Sequence, residues 1–263
     1  DHDVHGACAL LVETPDMKIA HSGDLRMRGT KPELNHRWAK EMQVKNVDYL
    51  LMEGTAFWPP RDNDSNDNKI TQLTEAETVE AFIKKLSESK GVGFFNFYHR
   101  NLERMENLRN AAEKTGRILV FEPPTALLAS RFSPNGKYKI INKNISIEEI
   151  NKTPGNYFVQ NTLPNIFSLI DYAPEGSVYI HTNGVPLGPF DPAFHSMVSF
   201  LTTLGIEFAV ISSSGHADTT EILQLIDTIK PKVLLPWHST TPTEMHPLDA
   251  AQKVILPALE RWY

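Results

Sequence analysis

Residues 92 to 121 alternate in a way that few folds accept. Val92 to Phe97 is an apolar run of strand length, Leu102 to Lys114 has helical periodicity and stops at Gly116, and Arg117 to Phe121 is apolar again. A strand, a helix and a strand in that succession imply a parallel sheet with a helix packed on it. The same alternation extends in both directions. Residues 7–13 read as a buried strand, Pro15-Asp16 as a turn, and Met17 to His21 as a return strand. Pro32 to Gln43 is predicted helical, with Pro32 suited to a first turn, and Val47 to Met52 is a strand. Thr74 and Glu77 form a capping box ahead of a helix whose Val79, Phe82, Ile83 and Leu86 share one face. Asn156 to Val159 and Val178 to His181 are further strands, and Met197 to Leu204 is a helix. Residues 135–156 are turn-rich. The fold class is α/β.

The chain has 263 residues, 41% of them hydrophobic, which is enough for a large core and excludes a disordered chain. A polar stretch at residues 59–70, Pro-Pro-Arg-Asp-Asn-Asp-Ser-Asn-Asp-Asn-Lys-Ile, marks a domain boundary. The net charge of −6 argues against a broad basic face but not against a local basic cleft. Cys8 is the single cysteine, so no disulfide forms within the chain and a reducing, cytoplasmic setting is expected. No apolar run is long enough to span a membrane as a helix.

The chemistry-bearing residues collect at the predicted ends of strands. Ser213-Ser214-Gly215-His216-Ala217 follows the apolar run Ala209-Val210-Ile211, and Pro236-Trp237-His238 follows Val233-Leu234-Leu235. A helix, Thr219 to Ile229, lies between them, so the stretch reads as one strand–loop–helix–strand–loop unit with a histidine at each strand exit, where α/β folds place their functional groups. A last amphipathic helix is expected from Leu248 to Trp262. Backbone N–H groups and hydroxyls of Ser213, Ser214 and Gly215 could hold an anion, and the His216 imidazole could give a proton to a leaving oxygen. The same residues also read as a helix cap, with Asp218 or Thr219 at the N-cap. Asp24, after Ser22-Gly23, is a metal-ligand candidate aimed by a glycine turn, or simply a turn aspartate. His2 and His238 are candidate imidazole ligands, with His5 and His21 as alternatives to His2. Phe94-Phe95-Asn96-Phe97-Tyr98-His99-Arg100 ends in two polar side chains suited to a nucleic-acid strand, with Phe95 and Phe97 assigned to the core and Arg104 adding charge one turn later.

In order, His2-Asp3-Val4-His5-Gly6-Ala7, His21-Ser22-Gly23-Asp24, Leu51-Met52-Glu53-Gly54-Thr55, Ser214-Gly215-His216-Ala217 and Pro236-Trp237-His238 resemble the motifs of metallo-β-lactamase-fold hydrolases with a β-CASP insertion, the superfamily that includes ribonuclease J. The resemblance implies a partial αββα sandwich at 1–71 and 206–263, with a parallel-sheet β-CASP-like cap inserted at 72–205. It implies two zinc ions, or manganese, with His2 as a ligand of one ion, Asp24 bridging, and His238 as a ligand of the second. His216 would contact the scissile phosphate, oriented by Glu53, and the cap with His99 and Arg100 would guide single-stranded nucleic acid. Catalysis would then fall to His216, Glu53 and Asp24.

The sequence departs from that pattern in two places. No histidine among the ten has another two residues on, so the family's His-x-His-x-Asp-His motif is absent. Ser239-Thr240 follows His238 where ribonuclease J-like proteins usually have Gly-Glu. The first departure leaves the metal site short of ligands and the remaining sheet uncovered on its inner face, so a preceding segment of about a hundred residues or more is expected. A homo-oligomer is a further expected partner. Three functions compete. The first is phosphodiester hydrolysis of RNA or DNA by metal-activated water. The second is hydrolysis of a small ester, lactam or thioester. The third is a non-catalytic subunit that keeps the fold.

Overall fold

The computed structural model of the chain describes residues 1–58, 73–133, 136–247, 253–256 and 258. In chain order the elements are β1 (Leu10–Glu13), β2 (Lys18–His21), α1 (Glu33–Lys45), β3 (Tyr49–Glu53), α2 (Glu75–Glu88), β4 (Gly93–Phe97), α3 (Leu102–Lys114), β5 (Ile118–Phe121), α4 (Pro123–Phe132), β6 (Lys139–Ile140), α5 (Ile147–Lys152), β7 (Tyr157–Gln160), β8 (Val178–Thr182), α6 (Pro192–Thr203), β9 (Glu207–Val210), α7 (Thr219–Ile229), β10 (Val233–Trp237) and β11 (Lys253–Val254). They divide into two compact units, Asp1–Thr71 with Ser214–Tyr263, and Gln72–Ser213. The expected boundary in the polar stretch at 59–70 lies outside the described residues.

In the first unit the described strands form a sheet in the order β1-β2-β3-β10-β11. β1 and β2 pair antiparallel across the Thr14–Met17 turn; β2, β3, β10 and β11 pair parallel. Period-2 alternation sorts the side chains. Ala20, Leu50, Met52 and Leu234 point to one face and are fully buried against Ala39 and Met42 of α1 and Ile222, Leu225 and Ile226 of α7. α7 is fixed at its start by a capping box, with the Asp218 side chain accepting from Glu221 N and the Glu221 carboxylate accepting from Asp218 N.

The second unit has a wholly parallel sheet in the order β6-β5-β7-β4-β8-β9. Every residue of β4, β7 and β8 is buried, as expected of parallel strands covered on both faces. Phe95 and Phe97 pack into a core with Phe82 and Leu86 of α2 and Leu108 of α3, while Phe94 turns to the opposite face, toward Met197 and Leu201 of α6. The capping box of Thr74 and Glu77 is present at the start of α2.

Four expectations need correction. The second unit extends past residue 205, because β9 pairs in parallel with β8 and so belongs to the six-stranded sheet. For the same reason the two histidine loops are not the exits of one strand–helix–strand unit: β9 and β10 lie in different sheets. Lys253–Val254 forms a short strand on β10 rather than part of a C-terminal helix, and the rest of that expected helix falls outside the described residues except 255–256 and 258, which are irregular. α4 and α5 were not anticipated. α4 begins with two prolines, which suit a first helical turn but read as a break in a sequence, and α5 is a short capped helix inside a turn-rich stretch. Among the described residues no helix is long and apolar enough to cross a membrane.

Candidate active site

Three loops of the first unit meet at the carboxyl ends of β2, β3 and β10, joined by the segment before β1 and the loop before α7. After β2 the chain turns at Gly23, which has φ +60; a Cβ there would lie 2.5 Å from the Cys8 carbonyl oxygen, so glycine is required. The turn delivers Asp24. Its Oδ1 is buried and accepts no hydrogen bond, although His238 Nδ1 lies 3.2 Å away. His238 itself sits at φ +51, a left-handed conformation uncommon for a side chain other than glycine, asparagine or aspartate, and its Nδ1 is 3.1 Å from Thr55 Oγ1.

His2 approaches from the other side. Its Nδ1 donates to the Gly215 carbonyl at 2.7 Å, which fixes the ring and turns Nε2 toward the carboxylates. That Nε2 is 3.8 Å from Asp24 Oδ2 and 3.4 Å from Asp3 Oδ1. The His2 and His238 rings lie 5.2 and 6.0 Å from the His216 ring, so the three imidazoles surround one small space.

His216, partly exposed, and the buried Glu53 form the base of the cluster. Glu53 is fully buried, and its Oε1 is 3.2 Å from His216 Nδ1. Burial alone would raise the Glu53 pKa, but the His216 hydrogen bond and charge, with the N–H groups of Thr55 and Leu25, outweigh it and hold the carboxyl below its ordinary range. Burial likewise disfavours the His216 imidazolium, yet Glu53, then Asp24 and Asp3, raise its pKa above the ordinary histidine value.

The structure brings His2, Asp24, His216, Glu53 and His238 together. Others fall elsewhere. The Ser214 hydroxyl accepts from His216 N and donates to His216 O, so the loop satisfies its own donors instead of offering them to an anion. Gly215 backs onto Asp3, whose Oδ2 would lie 2.8 Å from an added Cβ, and this carboxylate makes the loop a poor anion cradle. The N-cap of α7 is Asp218, as the helix-cap alternative has it. Ser213 is buried in the second unit, its carbonyl accepting from Asn183 Nδ2 and Arg104 Nη2. Arg104 is not an exposed charge: it is fully buried and paired with Glu75, at 2.6 Å from Nε to Oε1. His99 and Arg100 are exposed in the second unit, beside Arg131, Leu127 and Pro124. His21 accepts from Gly23 N and stacks near Trp237, a structural role. Asp3 and Thr55 were missed by sequence reasoning; both stand inside motifs singled out for another residue, Asp3 next to His2 and Thr55 two after Glu53.

The donor chemistry, two imidazoles facing one carboxylate with a buried unpartnered oxygen, suits a zinc-like ion. The number of donors does not. Among the described residues no group of three or more histidine, cysteine, aspartate or glutamate side chains is disposed to hold a metal ion.

Comparison with known proteins adds a distant relationship. No family model matches the sequence. The chain is 21% identical over 267 aligned residues to Ribonuclease J of Thermus thermophilus, an alignment covering 93% of this chain and 45% of that protein. A crystal structure of a protein of unknown function from Enterococcus faecalis superposes with a TM-score of 0.82 at 28% identity, covering 98% of this chain and 60% of that one. The chain therefore spans about half the length of the proteins it matches. These likenesses establish a shared α/β fold and a distant relationship to Ribonuclease J.

Proposed function

We propose that the chain carries part of the active site of a metal-dependent hydrolase that cleaves a phosphodiester of RNA or DNA. One observation carries the reading: Asp24 stands between His2 and His238 with an unsatisfied buried oxygen, and the His216–Glu53 pair lies beside them. The likeness to Ribonuclease J supports the substrate class. His2 Nε2, Asp24 and His238 would hold part of a two-zinc site, with manganese as an alternative, and the remaining donors would come from outside these residues. The bound ions would supply hydroxide near neutral pH by acidifying a water.

The chain's own residues account for the rest. Glu53 fixes His216 through Nδ1, so Nε2 is the atom placed to hand a proton to the departing oxygen. His99 and Arg100 would bind the backbone of a single strand. Further polypeptide of about a hundred residues would cover the open sheet face of the first unit and bring the missing donors. That shortage of donors also favours a second reading, a non-catalytic subunit that binds its partner without cleaving it.

Metal analysis of the full-length protein, run beside assays with labelled RNA, labelled DNA and a chromogenic lactam, tests both. The expected result is stoichiometric zinc or manganese and phosphodiester cleavage that falls about a hundredfold or more in Asp24→Asn and His216→Ala. Lactam turnover without phosphodiester cleavage would overturn the substrate. Failure to bind metal in stoichiometric amounts would overturn the hydrolase and leave the binding subunit.

A further inference from the structure

The second unit contains a cavity of about 530 Å³ that the proposed reaction does not use. It lies at the start of β5, between the last turns of α3 and the segment leading into β6. Its apolar wall includes Ile118, a strand residue left 40% exposed, and the ring of Tyr138. That ring is held in place: its hydroxyl donates to the Ala126 carbonyl at 3.2 Å and its face lies 5.2 Å from Phe121.

The polar lining is cationic. Arg109 is neutralised by Glu106 and Glu113. Lys137 and Lys139 are exposed at the rim, and no carboxylate among the described residues pairs with either. Arg117 is the decisive group. It is only 8% exposed, and its Nη atoms donate to four main-chain carbonyls, Gly91 and Tyr157 from Nη1, Leu86 and Ser89 from Nη2, at 2.7–3.1 Å. All four acceptors are neutral. No carboxylate among the described residues meets it, and its Nε has no acceptor there. A guanidinium stays charged at any ordinary pH, so the fold retains a buried positive charge held by carbonyl dipoles, those at the C-terminal end of α2 among them, and by no carboxylate among the described residues.

We propose that this cavity binds a small organic anion, its phosphate or carboxylate head drawn by Arg117, Lys137 and Lys139 and its flat apolar body lying against Ile118 and Tyr138. The volume falls in the range of roughly 300–1,000 Å³ typical of small-molecule sites. The cavity opens at the first residues of β5, whereas substrates of open α/β sheets gather at the carboxyl ends of strands. The ligand is therefore an effector and not a substrate, and the inference stands apart from the proposed reaction.

Titrating isotope-labelled protein with adenosine monophosphate, salicylate and inorganic phosphate, followed by amide chemical shifts, tests it. Adenosine monophosphate or salicylate should give saturable shifts at Ile118, Leu119 and Tyr138, with inorganic phosphate about tenfold weaker for want of a body. The exposed double variant Lys137→Ala/Lys139→Ala, and separately Ile118→Glu, should each weaken binding by about tenfold or more while keeping the unfolding midpoint; His216→Ala should leave the affinity unchanged. Shifts that never saturate, or binding undiminished in both variants, would overturn the proposal.

Discussion

The two sheets of this protein solve the same problem to different degrees. In the six-stranded sheet, Phe95 and Phe97 look one way into a core and Phe94 looks the other way into a second core, and the central strands are buried throughout. In the five-stranded sheet only the face bearing Ala20, Leu50, Met52 and Leu234 is closed, by α1 and α7. The register puts Leu10, Val12, Ile19, Tyr49, Leu51, Val233 and Leu235 on the other face; none of them is buried, and Leu10 and Val12 are more than half exposed. A parallel sheet is ordinarily covered on both sides. The second unit is thus a finished two-sided layer, whereas the first is a one-sided layer that ends in a histidine and carboxylate cluster in which, among the described residues, no three side chains are disposed to hold a metal ion. The exposed sheet face and the histidine and carboxylate cluster belong to the same unit.

The comparison breaks most easily where the finished unit keeps charge inside. Glu75 and Arg104 are both fully buried and joined by two hydrogen bonds, with Arg104 also reaching Thr182 and the Ser213 carbonyl. Glu75→Ala would strand a buried guanidinium and should cost about 3–5 kcal/mol in urea unfolding. The double variant Glu75→Leu/Arg104→Met, apolar at both places, should recover most of that loss. A single variant within about 0.5 kcal/mol of the parent would mean that water reaches the pair and that the unit is less closed than its burial indicates.

The same unit holds a histidine with no hydrogen-bond partner. His181, on the inner strand β8 beside the edge strand β9, is 2% exposed, neither ring nitrogen has an acceptor or donor, and Phe194 and Phe208 pack on it. Burial pushes its pKa down to about 4. The unfolded chain takes up a proton near pH 6.5 and the folded chain does not until about 4, so protons favour unfolding across that window. Stability from this residue is complete above pH 6.5 and declines as pH falls to about 4, by roughly 3 kcal/mol in all. Unfolding free energies from urea curves of the parent and of His181→Leu, measured from pH 7 to 4, should diverge by that amount. Parallel profiles would show that the imidazole is solvated in the fold.

How much of this was legible in the sequence follows the same division. The βαβ succession gave α3 to the residue, and the capping box at Thr74 located α2, because local periodicity and caps are encoded where they act. The assignment of β9 to a sheet was not legible: Glu207–Val210 has the same apolar pattern whichever sheet it joins, and only the long-range pairing with β8 decides. At the site, His2, Asp24, Glu53, His216 and His238 lie together, whereas at Ser214 Asp3 and the loop's own hydrogen bonds take the place an anion would fill. Arg104 failed for a related reason. A charge at helical spacing reads as surface unless its buried partner, Glu75, lies 29 residues away and is already known.

The smallest effect tests the open face directly. Val12 lies on an edge strand and is 52% exposed in this chain, so Val12→Lys removes little buried apolar area and should change the unfolding free energy by less than about 0.5 kcal/mol. If further polypeptide covers this face in a longer form of the protein, the same substitution there buries a lysine stem and its charge under a second layer, and the cost should rise to about 2 kcal/mol or more. Comparing the two unfolding curves isolates the covering layer from every other difference between the forms, because the substituted atom and its sheet neighbours Ile19 and Leu10 are common to both. Equal, near-zero costs in the two forms would mean that the face stays open to water. The incomplete burial of the first unit would then persist in the longer form, and any further donors to the proposed metal site would have to come from a layer that does not touch the sheet.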